Sequence, residues 1–149
     1  MTGIREIMEL HHKRCDEEFA ATEDGVQSCD WSVAAKSFAI FASDLDSHFR
    51  AEEEVLFPAY EARTGISGGP TQVMRSEHAQ MRALMQHMKQ GVESCDEAAF
   101  GGSAETLLIL MQQHNMKEEN ILYPMCDQAL GGDAELVRRL EQALLSRTM

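Results

Sequence analysis

Two stretches of the chain repeat one pattern, a histidine followed four residues later by a glutamate. The residues from His48 to Pro58 recur 66 positions later as His114 to Pro124, with His, Glu, Glu, Leu and Pro in the same places. An α-helix turns once in about 3.6 residues, so His48 and Glu52 project from one face, one turn apart. Imidazole nitrogen and carboxylate oxygen are both metal ligands. Two such copies on neighbouring helices therefore predict a paired-metal site.

The elements that must position these side chains are long helices. Helical periodicity without lasting strand alternation predicts an all-α fold, namely an up-down-up-down four-helix bundle with a short fifth C-terminal helix. Residues 1–149 then form a single domain. The predicted helices run from Ile4 to Glu23, from a cap at Asp30 through Pro58 to about Arg63, from Pro70 to about Gly91, from Gly101 to Tyr123, and from a cap at Asp133 to about Ser146. Pro58 should end or kink its helix, because its ring opposes the carbonyl of Glu54.

Each of the four long helices carries one histidine within its apolar stripe. In chain order the stripes are Met8, His12, Cys15 and Phe19; Phe41, Leu45, His48, Glu52 and Val55; Met74, His78, Met81, Met85 and Met88; and Leu107, Met111, His114, Glu118 and Ile121. One buried histidine is usually a hydrogen-bonded core residue. Four of them with two buried carboxylates indicate a shared ligand set, because unpaired buried carboxylates are strongly penalised. The candidate metal ligands are His12, His48, Glu52, His78, His114 and Glu118.

Several neighbouring residues receive smaller roles. His87 lies about half a turn around the helix from His78 and should face solvent. His11 also lies near the apolar face, but His12 matches the stripe positions of the other helices and is favoured. Glu53 and Glu119 are expected to be solvated or supporting residues rather than direct ligands. For Tyr123, packing is favoured over a hydrogen-bonding or redox role.

The ligand types narrow the choice of metal. Imidazole and carboxylate without thiolate suit iron, manganese or zinc, and two carboxylates able to bridge within a four-helix bundle favour two irons. Suppose each ion takes two histidines, one oxygen from each glutamate and a shared oxide or hydroxide. An octahedral ion then keeps one open position, where dioxygen, nitric oxide or peroxide would bind.

Composition excludes several classes of partner. The 149 residues include 13 Lys and Arg against 25 Asp and Glu, a net charge of -12 that disfavours nucleic acid and anionic membranes. No apolar run approaches the roughly 20 residues that span a bilayer. The segment Met1 to Arg14 lacks the hydrophobic core of a signal peptide, so a cytoplasmic location is expected. The four cysteines lack any C-x-x-C spacing, which disfavours a structural zinc site or a redox dithiol.

These residues together resemble the hemerythrin-like (HHE cation-binding) family. The resemblance lies in His12 with Cys15 and Asp16 after it, H-F-x-x-E-E-x-x-L-F-P from His48, the pair Glu77 and His78, and H-x-x-x-E-E-x-x-L-Y-P from His114. It covers helices one to four, nearly the whole chain. The family implies a non-haem di-iron centre bridged by the two glutamates.

One position departs from the oxygen-carrying members of that family, which have a second histidine four residues after the one in helix three. Here that position is Arg82, and the remaining set of four histidines and two glutamates resembles bacterial di-iron proteins linked to nitric oxide stress and iron–sulfur cluster repair. The leading hypothesis is a module that binds or senses dioxygen or nitric oxide. The alternatives are a redox or repair enzyme, served by a redox partner protein, and an interaction protein with a structural metal.

Overall fold

The computed structural model describes residues 3–145, which form seven α-helical segments and two short π-helical turns. The α-helices are α1 (Ile4–Gln27), α2 (Trp31–Ala51), α3 (Phe57–Thr64), α4 (Pro70–Glu93), α5 (Glu97–Lys117), α6 (Tyr123–Leu130) and α7 (Ala134–Leu145). The π-helical turns, Glu52–Leu56 and Glu118–Leu122, join α2 to α3 and α5 to α6 without a break. Four long antiparallel helices and a short fifth result, which confirms the predicted bundle.

Aspartates set the starts of two long helices. The carboxylate of Asp30 accepts a hydrogen bond from the Val33 amide at 3.2 Å, and that of Asp96 accepts one from the Ala99 amide at 3.0 Å. The predicted start of the fourth long helix at Gly101 is wrong, because the Asp96 cap nucleates the helix four residues earlier. The predicted start of the fifth helix behind Asp133 is confirmed, and its predicted end at Ser146 lies outside the described residues.

The 66-residue repeat extends well beyond the metal-ligand motif. The two capping aspartates, Asp30 and Asp96, are 66 positions apart, and so are Cys29 and Cys95, which both have φ of 54°. The repeat also relates α1 to α4 and α2 to α5. The bundle is therefore built from two similar helical hairpins.

Pro58 and Pro124 are each the second residue after a π-helical turn. In the first turn the amide of Phe57 donates to the carbonyl of Glu52, five residues back, and Tyr123 donates to Glu118 in the second. The prediction that Pro58 could end its helix is wrong, because the chain stays helical through Pro58 to Thr64. The helix widens locally instead, and a wider turn can accommodate the proline ring. Both turns begin at a glutamate of the duplicated motif.

Two apolar clusters fill the bundle, and the inward histidines lie between them. One cluster contains Phe41, Leu45 and Leu107, and the other contains Leu56 and Leu122. The expected exposure of His87 is confirmed, and Leu136, Leu140 and Leu144 form a buried stripe along α7. The prediction that Ile121 lies in the core is wrong, because the π-helical turn rotates its side chain outward to 56% exposure. No helix within residues 3–145 is long and apolar enough to cross a bilayer.

Candidate metal centre

Six inward side chains converge in the middle of the bundle, and they are the six candidates from the sequence. They form two groups in which the ligand atoms lie within 4.8 Å of one another: Glu52, His78, His114 and Glu118 in the first, and His12, His48 and Glu118 in the second. All six residues are buried, with at most 4% of their surface exposed. Glu118 belongs to both groups, so the two groups share a carboxylate.

Each glutamate approaches histidines from both hairpins. An oxygen of Glu52 lies 3.0 Å from Nε2 of His78 and 3.7 Å from Nε2 of His48. An oxygen of Glu118 lies 3.1 Å from Nε2 of His12 and 3.3 Å from Nε2 of His114. Carboxylates placed between two pairs of imidazoles can bridge two ions.

The nitrogen and oxygen atoms of the first group are better placed to bind a cation than to form hydrogen bonds with one another. Buried side-chain atoms without a hydrogen-bond partner in residues 3–145 include His78 Nε2, His114 Nε2, Glu52 Oε1 and Glu118 Oε2. Although His78 Nε2 lies 3.0 Å from Glu52 Oε1 and His114 Nε2 lies 3.3 Å from Glu118 Oε1, these contacts do not have hydrogen-bond geometry. Leaving the four atoms unpaired in a dry core would be costly. A divalent or trivalent cation would satisfy all four, so the residues present fit a bound metal.

In three of the four inward histidines, the ring nitrogen that faces away from the site, Nδ1, is hydrogen-bonded to a carboxylate. The Nδ1 distances are 2.7 Å from His12 to Glu119, 2.7 Å from His78 to Glu53 and 2.8 Å from His114 to Glu77. Such a bond keeps the proton on Nδ1 and directs Nε2 at the metal position. Glu53 and Glu119 thus hydrogen-bond to two candidate ligands, which is consistent with the supporting role expected of them. Sequence reasoning assigned no such role to Glu77, although it precedes His78 directly.

The fourth inward histidine has an imidazole in place of the carboxylate. Nδ1 of His48 lies 2.9 Å from Nδ1 of His11, so His11 stands behind His48 and outside both ligand groups, whereas His12 belongs to the second group. Burial lowers the pKa of His11 to about 4. His11 is therefore neutral near pH 7 and cannot supply the negative charge that Glu77 supplies to His114.

The hydroxyl of Tyr123 lies at the centre of the site, which overturns its expected role as a packing residue. The oxygen is 2.7 Å from Glu52 Oε2, 2.9 Å from Glu118 Oε1, 3.2 Å from His48 Nε2 and 3.3 Å from His12 Nε2. Burial, together with the charges of Glu118 and Glu52, raises the pKa of this phenol well above its ordinary value. Helical periodicity could not reveal this contact, because the widened turn before Tyr123 changes the direction of its side chain.

Charges within the centre are strongly coupled. Burial opposes a charge on His12, yet hydrogen bonds to Glu118 and Glu119 raise its pKa to about 10. His78 is likewise opposed by burial, but Glu52 and Glu53 raise its pKa to about 9. Without a metal, protons on these imidazoles balance the buried carboxylates.

Arg82 pairs with acids and does not face the ligand groups directly. Its guanidinium donates to both oxygens of Glu53, at 2.9 and 3.1 Å, and to Asp46 at 3.3 Å. It also lies over the ring of Phe49, 5.2 Å from the centroid. Burial alone would raise the pKa of Glu53, but hydrogen bonds to His78 and Arg82 outweigh burial and lower this pKa to about 2. The Glu53 carboxylate therefore stays charged behind His78.

Comparison with known proteins agrees with this geometry. The hemerythrin HHE cation-binding domain matches residues 3–126. The chain is 30% identical over 117 residues to the iron-sulfur cluster repair protein YtfE of Musicola paradisiaca, covering 72% of this chain and 50% of that protein. It is 35% identical over 100 residues to YtfE of Salmonella paratyphi B, covering 60% and 44%.

A further relative carries a different name. The chain is 28% identical over 121 residues to a protein named DNA nickase from Nostoc sp., covering 81% of this chain and 32% of that protein. The chain thus spans half or less of the length of these relatives. No solved structure is significantly similar to it.

Proposed function

We propose, since the chain belongs to the hemerythrin HHE cation-binding domain family, that it is a non-haem di-iron protein that binds or senses dioxygen or nitric oxide. The six ligands would be His12, His48, Glu52, His78, His114 and Glu118. The observation that carries the proposal is the pair of buried His/Glu groups joined by Glu118. A single structural ion would require only one of these groups.

The surroundings favour a small, weakly polar ligand. The ring of Phe49 stacks on His78 with centroids 4.1 Å apart, and Phe57 stacks on it from 5.9 Å. These rings form an apolar wall beside the first ligand group. A charged or large polar substrate would lose its hydrogen bonds to water against this wall, and the aromatic rings could not replace them. A diatomic gas has few such hydrogen bonds to lose.

The protein's own residues would hold and orient the centre. Glu53, Glu77 and Glu119 fix the tautomer of three ligand histidines, and Arg82 holds Glu53 in place. Two ferrous ions would supply the electrons and the open coordination position with which dioxygen or nitric oxide reacts. Because Arg82 occupies the position of a fifth histidine, we expect oxidation by dioxygen to a diferric product in preference to reversible carriage.

Iron analysis and rapid mixing test this proposal together. Protein expressed with ample iron should contain two irons per chain, and the reduced protein should change its absorption within a stopped-flow experiment when mixed with dioxygen or nitric oxide. Zinc alone, or one metal that reconstitution cannot raise to two, would refute the dinuclear centre. Lack of reaction with both gases would leave only a structural metal, and a long-lived reversible oxygen spectrum would restore the oxygen-carrier hypothesis.

A second candidate is a redox or repair enzyme active under nitric oxide stress. It is favoured by the relatives named iron-sulfur cluster repair protein YtfE, of which this chain spans about half the length. Such an enzyme would need an electron donor, and hence a redox partner protein. Multiple turnovers of nitric oxide or peroxide with a donor present would support it, whereas one stoichiometric spectral change per centre would support binding or sensing.

A further inference from the structure

The two metal positions differ in their surroundings, although the hairpins that build them are related by the 66-residue repeat. The repeat relates His12 to His78 and Tyr123 to Phe57. The ring of Phe57 lies 5.9 Å from that of His78, and the ring of Tyr123 lies 5.7 Å from that of His12. The two aromatic rings thus occupy equivalent places, and only one of them carries a hydroxyl.

We propose that the phenol oxygen of Tyr123 is a seventh metal ligand, bound to the ion held by His12 and His48. An exogenous ligand would then enter on the opposite side of the centre, beside Phe57. This inference rests on the proposed di-iron function and adds an asymmetry to it. Neither ring is part of the duplicated His/Glu ligand set.

The distances around the hydroxyl are those expected of neighbouring ligands on one ion. Two ligands about 2.1 Å from a metal and at right angles to each other are separated by about 3 Å. The Tyr123 oxygen lies 3.3 Å from His12 Nε2, 3.2 Å from His48 Nε2 and 2.7 to 2.9 Å from the two glutamates. A hydroxyl donates one hydrogen bond and accepts at most two, so hydrogen bonding alone does not account for four such approaches.

The histidine Nε2 atoms on the Tyr123 side have a polar neighbour, and those on the Phe57 side have no hydrogen-bond partner. Nε2 of both His78 and His114 is buried without a hydrogen-bond partner, whereas Nε2 of His12 and of His48 each face the phenol oxygen. On the Tyr123 side the protein itself supplies the oxygen that completes the ligand set. On the Phe57 side no equivalent side-chain oxygen is present, since phenylalanine has none.

When the phenol of Tyr123 binds the metal, an oxygen–metal bond replaces its O–H bond. The O–H bond breaks, an oxygen–metal bond forms, and the proton leaves to solvent. Ferric iron favours this exchange because it is a strong Lewis acid that stabilises bound oxygen anions. The oxidation state of the metal does not change in this step.

Colour provides a test that is independent of activity. A phenolate bound to ferric iron has a charge-transfer band in the visible spectrum, and resonance Raman excitation within that band enhances phenolate vibrations. The chain contains two tyrosines, Tyr60 and Tyr123. Oxidised wild-type protein should show the band, Tyr123→Phe should retain two irons and lose it, and Tyr60→Phe should leave it unchanged.

The repeat supplies a sharper variant, the exchange Phe57→Tyr with Tyr123→Phe. This protein should regain a phenolate band, because the hydroxyl then lies beside His78, and its reaction with nitric oxide should slow relative to Tyr123→Phe. Two irons in the wild type without a phenolate band would overturn the role of Tyr123 and leave the di-iron proposal intact. Wild type that holds one iron and Tyr123→Phe that holds two would show that the phenol displaces an ion, and would overturn both.

Discussion

At the scale of single residues, the four candidate ligand histidines differ in the partner of the outer ring nitrogen, Nδ1. His114 faces Glu77, and 66 positions earlier the equivalent residue to Glu77 is His11, which faces His48. A carboxylate partner makes a metal-bound imidazole a stronger donor, whereas a neutral imidazole does so less. His48 should therefore be the weakest of the four histidine donors.

Substitutions at positions 11, 12 and 77 would separate ligands from their supports. His12→Ala removes a ligand, so we expect iron to fall to about one per chain or less. His11→Ala and Glu77→Gln remove supporting partners, so we expect two irons that are bound about 10–100-fold more weakly. Competition with a coloured chelator measures both the stoichiometry and the affinity.

His87→Ala is the matched control for these variants, because His87 is an exposed histidine of α4. Its iron content and affinity should equal those of the wild type. If His11→Ala loses an ion and His12→Ala retains two, the assignment of the ligand in α1 is shifted by one residue.

The pKa values within the centre predict how the chelated protein responds to pH. On folding, the pKa of His12 rises to about 10 and that of His78 to about 9, from an ordinary value of 6.5. A raised pKa stabilises the fold fully below the unfolded value, and this contribution is lost as pH rises through the folded value. His11, whose pKa falls to about 4, acts oppositely and destabilises the fold as pH drops from 6.5 towards 4.

Chelated protein should consequently lose stability as pH rises from about 7 to about 10. Iron-loaded protein should lack most of this alkaline loss, since bound cations replace the protons on the imidazoles. Urea unfolding at several pH values, with and without iron, measures the difference. An equal alkaline loss in both forms would contradict the protonation of the metal-free histidines.

The inward direction of the six candidate ligands could be predicted from the sequence because each lies on the apolar stripe of a single helix. Their supports could not, because Glu119 contacts His12 and Glu53 contacts His78 across helix interfaces, and single-helix periodicity does not specify these pairs. The packing role predicted for Tyr123 is wrong for a different reason. It follows a π-helical turn, in which the spacing of 3.6 residues per turn no longer holds.

At the scale of elements, two glycines allow the ends of the hairpins to close. A Cβ at Gly25 would lie 2.8 Å from the backbone nitrogen of Ala34, and one at Gly91 would lie 2.7 Å from that of Phe100. In both hairpins the first helix therefore approaches the backbone of the second. This approach helps to set the register between the inward histidines of each hairpin.

Gly91→Ala should destabilise the fold, since its Cβ would meet backbone that cannot move easily. We expect a loss of about 1–3 kcal/mol in the free energy of unfolding, as for other overpacked sites. Gly101→Ala is the matched control, because that helical glycine has nothing within 4 Å of an added Cβ. It should stabilise by about 0.5–1 kcal/mol. Urea unfolding decides, and equal effects of the two substitutions would contradict the close approach.

The helix boundaries show where local sequence cues compete. Gly101 and Gly102 predicted a helix start, but Asp96 caps the helix earlier and the glycines lie exposed within it. Side-chain capping satisfies free amides, whereas exposed glycine costs a helix only about 1 kcal/mol. The antiparallel bundle itself was predictable, because four long amphipathic segments with short connections leave few other arrangements.

At the scale of the whole molecule, the net charge of -12 and the two buried glutamates make a bound cation part of the fold's stability. Removing metal leaves Glu52 and Glu118 to share protons with the histidines. Burial and the charge of Glu118 raise the pKa of Glu52 to about 8, which reflects this cost. Metal that binds only the folded chain stabilises it by linkage.

Chelation should therefore lower the melting temperature. Metal at about 100 times its dissociation constant contributes about 2.7 kcal/mol, and a domain of this size shifts by about 2–4 °C per kcal/mol. The expected decrease is thus about 5–10 °C, and added salt should recover part of it by screening the acidic surface. Differential scanning calorimetry of iron-loaded and chelated protein measures the decrease. Glu118→Gln, which removes the carboxylate common to both ligand groups, should abolish most of the difference between the two forms. An unchanged melt in wild-type protein shown to be free of metal would place the cation outside the bundle core.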